Sequence, residues 1–296
     1  MTSAPTPQPA PPARPMAEPA LAPFVRPLGL IGAIRSEWIK ASSLRSIRWS
    51  IAVSVVLGIG LSYLMGLGFR DWIGSSPAEH AEYIRNITSF PATFMVLVFA
   101  VLGVFVFSSE YSSGMILSTL TAVPRRGFVI TAKAIVLTVI AGIAAGVNVF
   151  VGALLGSMLV PGSGSQIFTA AVLSSMLGTV FYLVAIALIA FALAGILRST
   201  AGSITVTVTL IFVIPTAVQI IAGLTEWNWM AQLHNYLPTV LGSTLGDGTE
   251  AGDAAAMTAV GSVHFPDYWE SMAALAGWVT VPMALAAAVF FRRDAK

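Results

Sequence analysis

Residues 90–127 read FPATFMVLVFAVLGVFVFSSEYSSGMILSTLTAVPRRG. The first half, through Phe107, carries no charge and is apolar enough to cross a lipid bilayer, for which a helix needs roughly 20 apolar residues. The second half changes character at once: a carboxylate at Glu110, a run of hydroxyls, Pro124, and then Arg125 and Arg126. Another apolar stretch begins at about residue 132, so this polar patch is a connection between two spans.

The whole chain supports that reading. Of its 296 residues 56% are apolar and only 9% charged, with a mean hydropathy of +0.85, outside the range of soluble domains. Six segments qualify as spans, at about 49–69, 90–108, 132–160, 167–197, 201–223 and 271–291. The fold class expected is an all-α polytopic membrane protein with six transmembrane helices. Pro91 suits a first helical turn, and Pro161 with Gly162 and Gly164 closes the third span. There is no cysteine, which removes disulfides and thiolate metal sites. No internal repeat is evident, which speaks against inverted-repeat transporters.

Charge sets the orientation. With the N-terminus inside, the inner side holds thirteen of the fifteen Lys and Arg residues and four of the thirteen acids, while the outer side holds Arg70, Arg85 and the other nine acids. Bases favour short cytoplasmic connections, so both termini, and the 110–127 patch, are expected to be cytoplasmic. Residues 1–27, with nine of the seventeen prolines, read as a disordered cytoplasmic tail, 28–48 as an amphipathic interfacial helix, and 49–296 as the six-span domain. In 28–48, Ile31, Ile34, Trp38 and Ala41 share a face, with Glu37 and Lys40 pointing away, the pattern of a helix lying among lipid headgroups.

Within the patch, Ile116, Leu120 and Val123 recur at spacings of four and three until Pro124 stops the pattern. A short amphipathic helix here has no soluble core of its own to bury its apolar face, so either lipid or a partner protein must cover it. Glu110 is expected at the rim of the second span, where a carboxylate stays hydrated.

"EY" followed by "SG", an "L" and "PRR" resembles the motif after the second span of ABC-2 transporter permeases. "SEWIKASSLRSIRWSI" at 36–51 and "NYLPTVLG" at 235–242 are similar to two other stretches of that family, in the same order. The resemblance implies that the patch is a coupling helix docked on an ATPase subunit, with Glu110, Tyr111, Gly114, Ile116, Leu120, Pro124 and Arg125 at or near the contact. It implies a connecting helix along the inner leaflet, carrying Ile34, Trp38 and Lys40. It also implies an exporter in a bacterial cytoplasmic membrane: two ABC ATP-binding subunits that bind ATP and Mg, a second permease copy or related permease, surrounding lipid, and no nucleic acid. No cofactor is expected on this chain itself.

The remaining residues argue against catalysis. "PGSGSQ" at 161–166 lacks the lysine of a phosphate-binding loop, and His80, His234 and His264 have no ligand spacing. No acid lies within a span, unlike the relay residues of proton-coupled pumps. Thr205 and Thr209 share a face of the fifth span and Pro215 is placed to kink it; with Gln219 they are the candidates for a substrate path, for which the resemblance favours the first, second and fifth spans. Gly142, Gly146, Gly152 and Gly156 suit close helix packing within the protomer. An amphiphile such as a drug, peptide antibiotic or lipid-like molecule is the expected cargo. The alternative is a non-transporting immunity or sensory protein that binds a peptide at the acidic outer loop 224–270.

Overall fold

The computed structural model describes residues 29–112, 114, 126–225, 227–250 and 263–292, and every regular element among them is helical. The expected tail 1–27 lies outside the described residues. Helix α1 (Leu30–Ser43) and helix α2 (Arg45–Phe69) meet at Leu44, whose extended backbone makes an elbow between them. Helix α3 (Pro77–Ser89) opens on a capping box in which Ser76 accepts from the Glu79 amide and Glu79 accepts from the Ser76 amide. The chain turns at Phe90 and Pro91 into α4 (Ala92–Ser112). Then follow α5 (Arg126–Ser157), α6 (Ala170–Leu197) and α7 (Thr200–Thr225). Two short helices, α8 (Asn228–Asn235) and α9 (Pro238–Asp247), precede α10 (Tyr268–Arg292).

Six helical segments are long and apolar enough to span, in the six places expected: α2, α4, α5, α6, α7 and α10. They are unequally covered. In α4 and α6, 61% of the apolar window is buried inside the protein, against 22% in α2 and 17% in α7 and α10. The centre of the bundle is therefore the α4–α6 pair. These two run in the same direction, with Gly103 against Ala187 and Phe107 against Phe191. A Cβ on Gly103 would stand 2.0 Å from the Ala187 carbonyl oxygen, so this closeness requires glycine.

α2 fastens to α5 through a stripe at every fourth residue: Ser50, Ser54, Gly58, Ser62 and Gly66, all buried. A Cβ on Gly152 would meet the Ser62 hydroxyl at 2.6 Å, and one on Gly66 would lie 3.6 Å from the Gly156 backbone. The expected close packing within the protomer thus holds at Gly152 and Gly156. A Cβ on Gly146 would meet nothing within 4 Å, and one on Gly142 only a Val184 methyl at 4.0 Å.

The bundle has a basic and an acidic end. α1, the end of α4, the start of α5 and the ends of α6 and α10 meet at the basic end, where Lys40 and Lys133 pair with acids, Arg198 covers Tyr111 and Phe107 meets Phe290. At the acidic end three helices that hydropathy does not reveal, α3, α8 and α9, fold back on the spans. Tyr83 of α3 is 1% exposed and donates to the Gly156 carbonyl (3.0 Å), while Ile84 and Ile87 are fully buried beside Val149, Ala153 and Met176. Tyr268 donates to the Ser174 carbonyl, tying α10 to α6, and Trp278 donates to that of Tyr236, tying the joint between α8 and α9 to α10.

The kink expected at Pro215 takes the form of a π-helical turn at Thr209–Val213. Proline has no N–H for the Ile211 carbonyl, and the widened turn, with Ile214 N–H bonded to Thr209, absorbs that missing link.

Candidate coupling site

Four ionised side chains from three elements converge at the basic end. Glu37 on α1 receives Lys40 at 2.9 Å on one carboxylate oxygen and Lys133 of α5 at 2.7 Å on the other. Glu110, in the last turn of α4, receives Lys40 at 2.9 Å and Lys133 at 2.8 Å on a single oxygen. The side chains of Lys133, Glu37 and Glu110 are 4%, 6% and 6% exposed, and only Lys40 reaches solvent, at 28%. Two carboxylates and two ammoniums sum to zero, which lets the group persist where an isolated charge would be prohibitive. Burial works against the Lys40 ammonium, but its hydrogen bonds to Glu37 and Glu110 outweigh this and hold its pKa above the ordinary 10.5.

Local sequence explains the geometry. α1 buries Ala33, Glu37 and Ala41, one small or acidic residue per turn, so its backbone lies close to α5. This corrects the expected orientation: Glu37 and Lys40 turn into the protein, while Ile31 is 84% and Trp38 42% exposed and Ile34 half-buried. The apolar face expected to meet headgroups is largely free to do so; the acidic face is the one that docks. The position of Glu110 is corrected as well. It is 4% exposed rather than hydrated at the rim, because Lys133 and Lys40 draw its carboxylate inward. A cavity of about 290 Å³ lies beneath the quartet, walled by Ala41, Leu44, Ile47, Val106 and Val136.

One residue further, Tyr111 stacks on Phe107 with ring centroids 5.4 Å apart, and the Arg198 guanidinium lies 5.3 Å from the centroid of the Tyr111 ring. Phe107 meets Phe191 and Phe290 edge-on. Arg198 closes α6 in the left-handed region at φ 52°, a conformation that non-glycine residues seldom adopt. Gly114, exposed and at φ +70°, turns the chain out of α4. Ile116, Leu120, Pro124 and Arg125 lie outside the described residues.

A family profile described as ABC-2 family transporter protein matches residues 39–295. The chain belongs to the ABC-2 transporter family. No curated protein matches it. The family assignment makes this a multi-pass membrane protein and a permease, the membrane subunit of an ABC transporter, in a family that works with ATP-binding subunits. In this ABC-2 permease the matched range takes in Lys40, Glu110 and Lys133 and begins two residues after Glu37.

The structure of the permease brings Lys40 and Glu110 together and separates the fifth-span candidates from them. Thr205 and Gln219 are exposed on α7, Thr209 is half-buried at the start of the π turn, and the Thr205 hydroxyl donates back to Ala201 (3.0 Å). The second span is half of the central α4–α6 pair and keeps an outward strip at Thr93, Phe94 and Leu97. Glu37, Lys133, Phe107 and Arg198 complete the site, none of them expected at it. Lys133 did carry a signal: an ammonium just inside an apolar run requires a counter-ion, and the basic side of the chain offers few acids.

Proposed function

We propose that this permease is the membrane subunit of an exporter, driven by ATP that two copies of a separate subunit bind with Mg and hydrolyse. The transmembrane unit is two such permeases, or one with a related permease, in a bacterial cytoplasmic membrane with the basic end inside. The cargo is an amphiphile moved outward. The observation that carries this reading is the Glu37–Lys40–Glu110–Lys133 quartet. It clamps the root of the 110–127 stretch to α1 and α5, so a push on that stretch moves three elements together instead of being lost in a flexible joint. The permease contributes no catalytic group in this reading. Gly114 to Arg125 supply the docking surface, and Glu110 and Tyr111 act behind it as anchors.

Co-expression of the permease with its ATPase subunit, followed by reconstitution, tests the proposal. Leu120→Asp places a charge on the apolar docking face and is expected to abolish permease-stimulated ATP hydrolysis, while Glu110→Ala lowers it by weakening the clamp. Wild-type stimulation in both variants would overturn the reading.

A further inference from the structure

A second cavity, of about 250 Å³, lies at the acidic end between α3, α4, α6, α7 and α9, far along α4 from the quartet. We propose that it binds the ammonium head of an amphiphilic amine. This names the substrate class of the permease reading above and rests on it.

Four groups of the polar wall present acceptors only: three hydroxyls and a carboxylate. The hydroxyls of Ser89, Thr179 and Ser243 each give their proton to a carbonyl of their own helix, Arg85 at 2.8 Å, Ser175 at 2.9 Å and Val240 at 2.7 Å. A serine or threonine so bonded has only lone pairs left to offer a ligand. Thr239 Oγ1 is buried and has no hydrogen-bond partner among the described residues, an arrangement that leaves a polar atom waiting for one. Asp247 adds a carboxylate, and no lysine, arginine or histidine lines the space. Arg85 stands outside the lining and donates to the main-chain carbonyl of Asp247 (3.1 Å). Asn86 and Thr93 also line the space and bring donors of their own, so the choice of a cation rests on the Asp247 carboxylate and on a lining without a basic residue. A multiply donating cation finds partners for its protons.

The other wall is aromatic. Phe90, Tyr182 and Phe212 line it, and Phe212 lies within the π turn of α7, so the local widening of that helix falls where its ring meets the cavity. Phe90 is 46% exposed and stands edge-on to Phe94, itself 50% exposed, on the outward strip of α4. The aromatic side therefore opens toward the bilayer, while Asp247 is exposed at the acidic end. An amphiphile can enter past the rings with its apolar body and set its ammonium against Asp247 and the hydroxyl oxygens. A few convergent polar groups within a largely apolar lining is the general form of small-molecule sites.

The test uses the permease alone in lipid nanodiscs, titrated with dansylcadaverine, an aromatic primary amine, and with its N-acetyl derivative, which keeps the ring and removes the ammonium; empty nanodiscs give the background. The amine is expected to bind about tenfold or more tightly than the acetyl derivative, the range of charge-assisted hydrogen bonds. Asp247→Asn is expected to remove most of that preference while leaving the binding of the acetyl derivative unchanged, which also shows that the variant is folded. Thr239→Val is expected to weaken the amine about threefold. Equal binding of the two probes to the wild-type permease would overturn the ligand class. Full retention of the preference in both variants would overturn the site. Because no ATPase subunit is present, either result is independent of the coupling test, and loss of coupling would leave this one standing.

Discussion

Glu110 illustrates how one residue's environment is set by distant partners. Its carboxylate oxygen is shared by Lys40 from α1 and Lys133 from α5, and it is buried only because both arrive. Removing one member of such a group leaves an uncompensated charge, which costs about 3–5 kcal/mol, whereas replacing an acid and a base together by apolar residues is close to neutral. Glu110→Leu is therefore expected to destabilise the permease by about 3 kcal/mol, because two ammoniums then face Glu37 alone. Glu110→Leu with Lys133→Met restores most of that stability, since Glu37 and Lys40 remain a neutral pair. Thermal unfolding in detergent micelles checks both. A double variant as unstable as the single one would show that the quartet acts through shape and not through charge.

At the level of elements, the α2–α5 contact is built from absent side chains. The Asn148 amide, 4% exposed, donates to Ser54 at 3.0 Å, while its oxygen accepts no hydrogen bond among the described residues and occupies the space that a Cβ on Gly58 would need, 2.4 Å away. Overpacking of this kind costs about 1–3 kcal/mol. Gly58→Ala is expected to destabilise by that amount, and Asn148→Ala, which removes the obstruction, to rescue it, with a coupling energy of about 1 kcal/mol or more in the double-mutant cycle. Additive losses in the same unfolding measurement would mean that the helices can slide apart to admit a methyl group. The same stripe explains why α2 stays attached although most of its surface faces outward: Trp49, Val56 and Leu64 are 70%, 71% and 62% exposed, while every fourth residue is buried.

For the whole molecule, the separation of charge between the two ends makes orientation testable. The chain has no cysteine, so single substitutions report cleanly. Ser75 and Ser165 are exposed at the acidic end and Ser42 at the basic end. A membrane-impermeant maleimide applied to intact cells is expected to label Ser75→Cys and Ser165→Cys, and to reach Ser42→Cys only after permeabilisation. The opposite pattern would place the 110–127 stretch outside and remove the docking proposal with it. The poorly covered helices α2, α7 and α10 form the outside of this bundle, and their exposed apolar faces suit lipid or a second permease, not water.

The number and position of the spans, the two polar ends and the family motifs were legible in the amino-acid order itself. Each rests on a local property: a helix must satisfy its own backbone in lipid, and it needs a fixed apolar length to cross. The short helices α3, α8 and α9 were not legible, because their stability comes from burial against spans far away in the chain, as Tyr83 against Gly156 shows. For the same reason the periodicity of α1 identified an amphipathic helix and its apolar face, but turned Glu37 and Lys40 away from the protein: spacing along one helix does not reveal that Lys133 and Glu110 wait on the other side. Only the tertiary structure decided that Glu37 and Glu110 point inward, because their partners stand 96 and 23 residues along the chain, at Lys133, and an ion pair is a property of space, not of sequence.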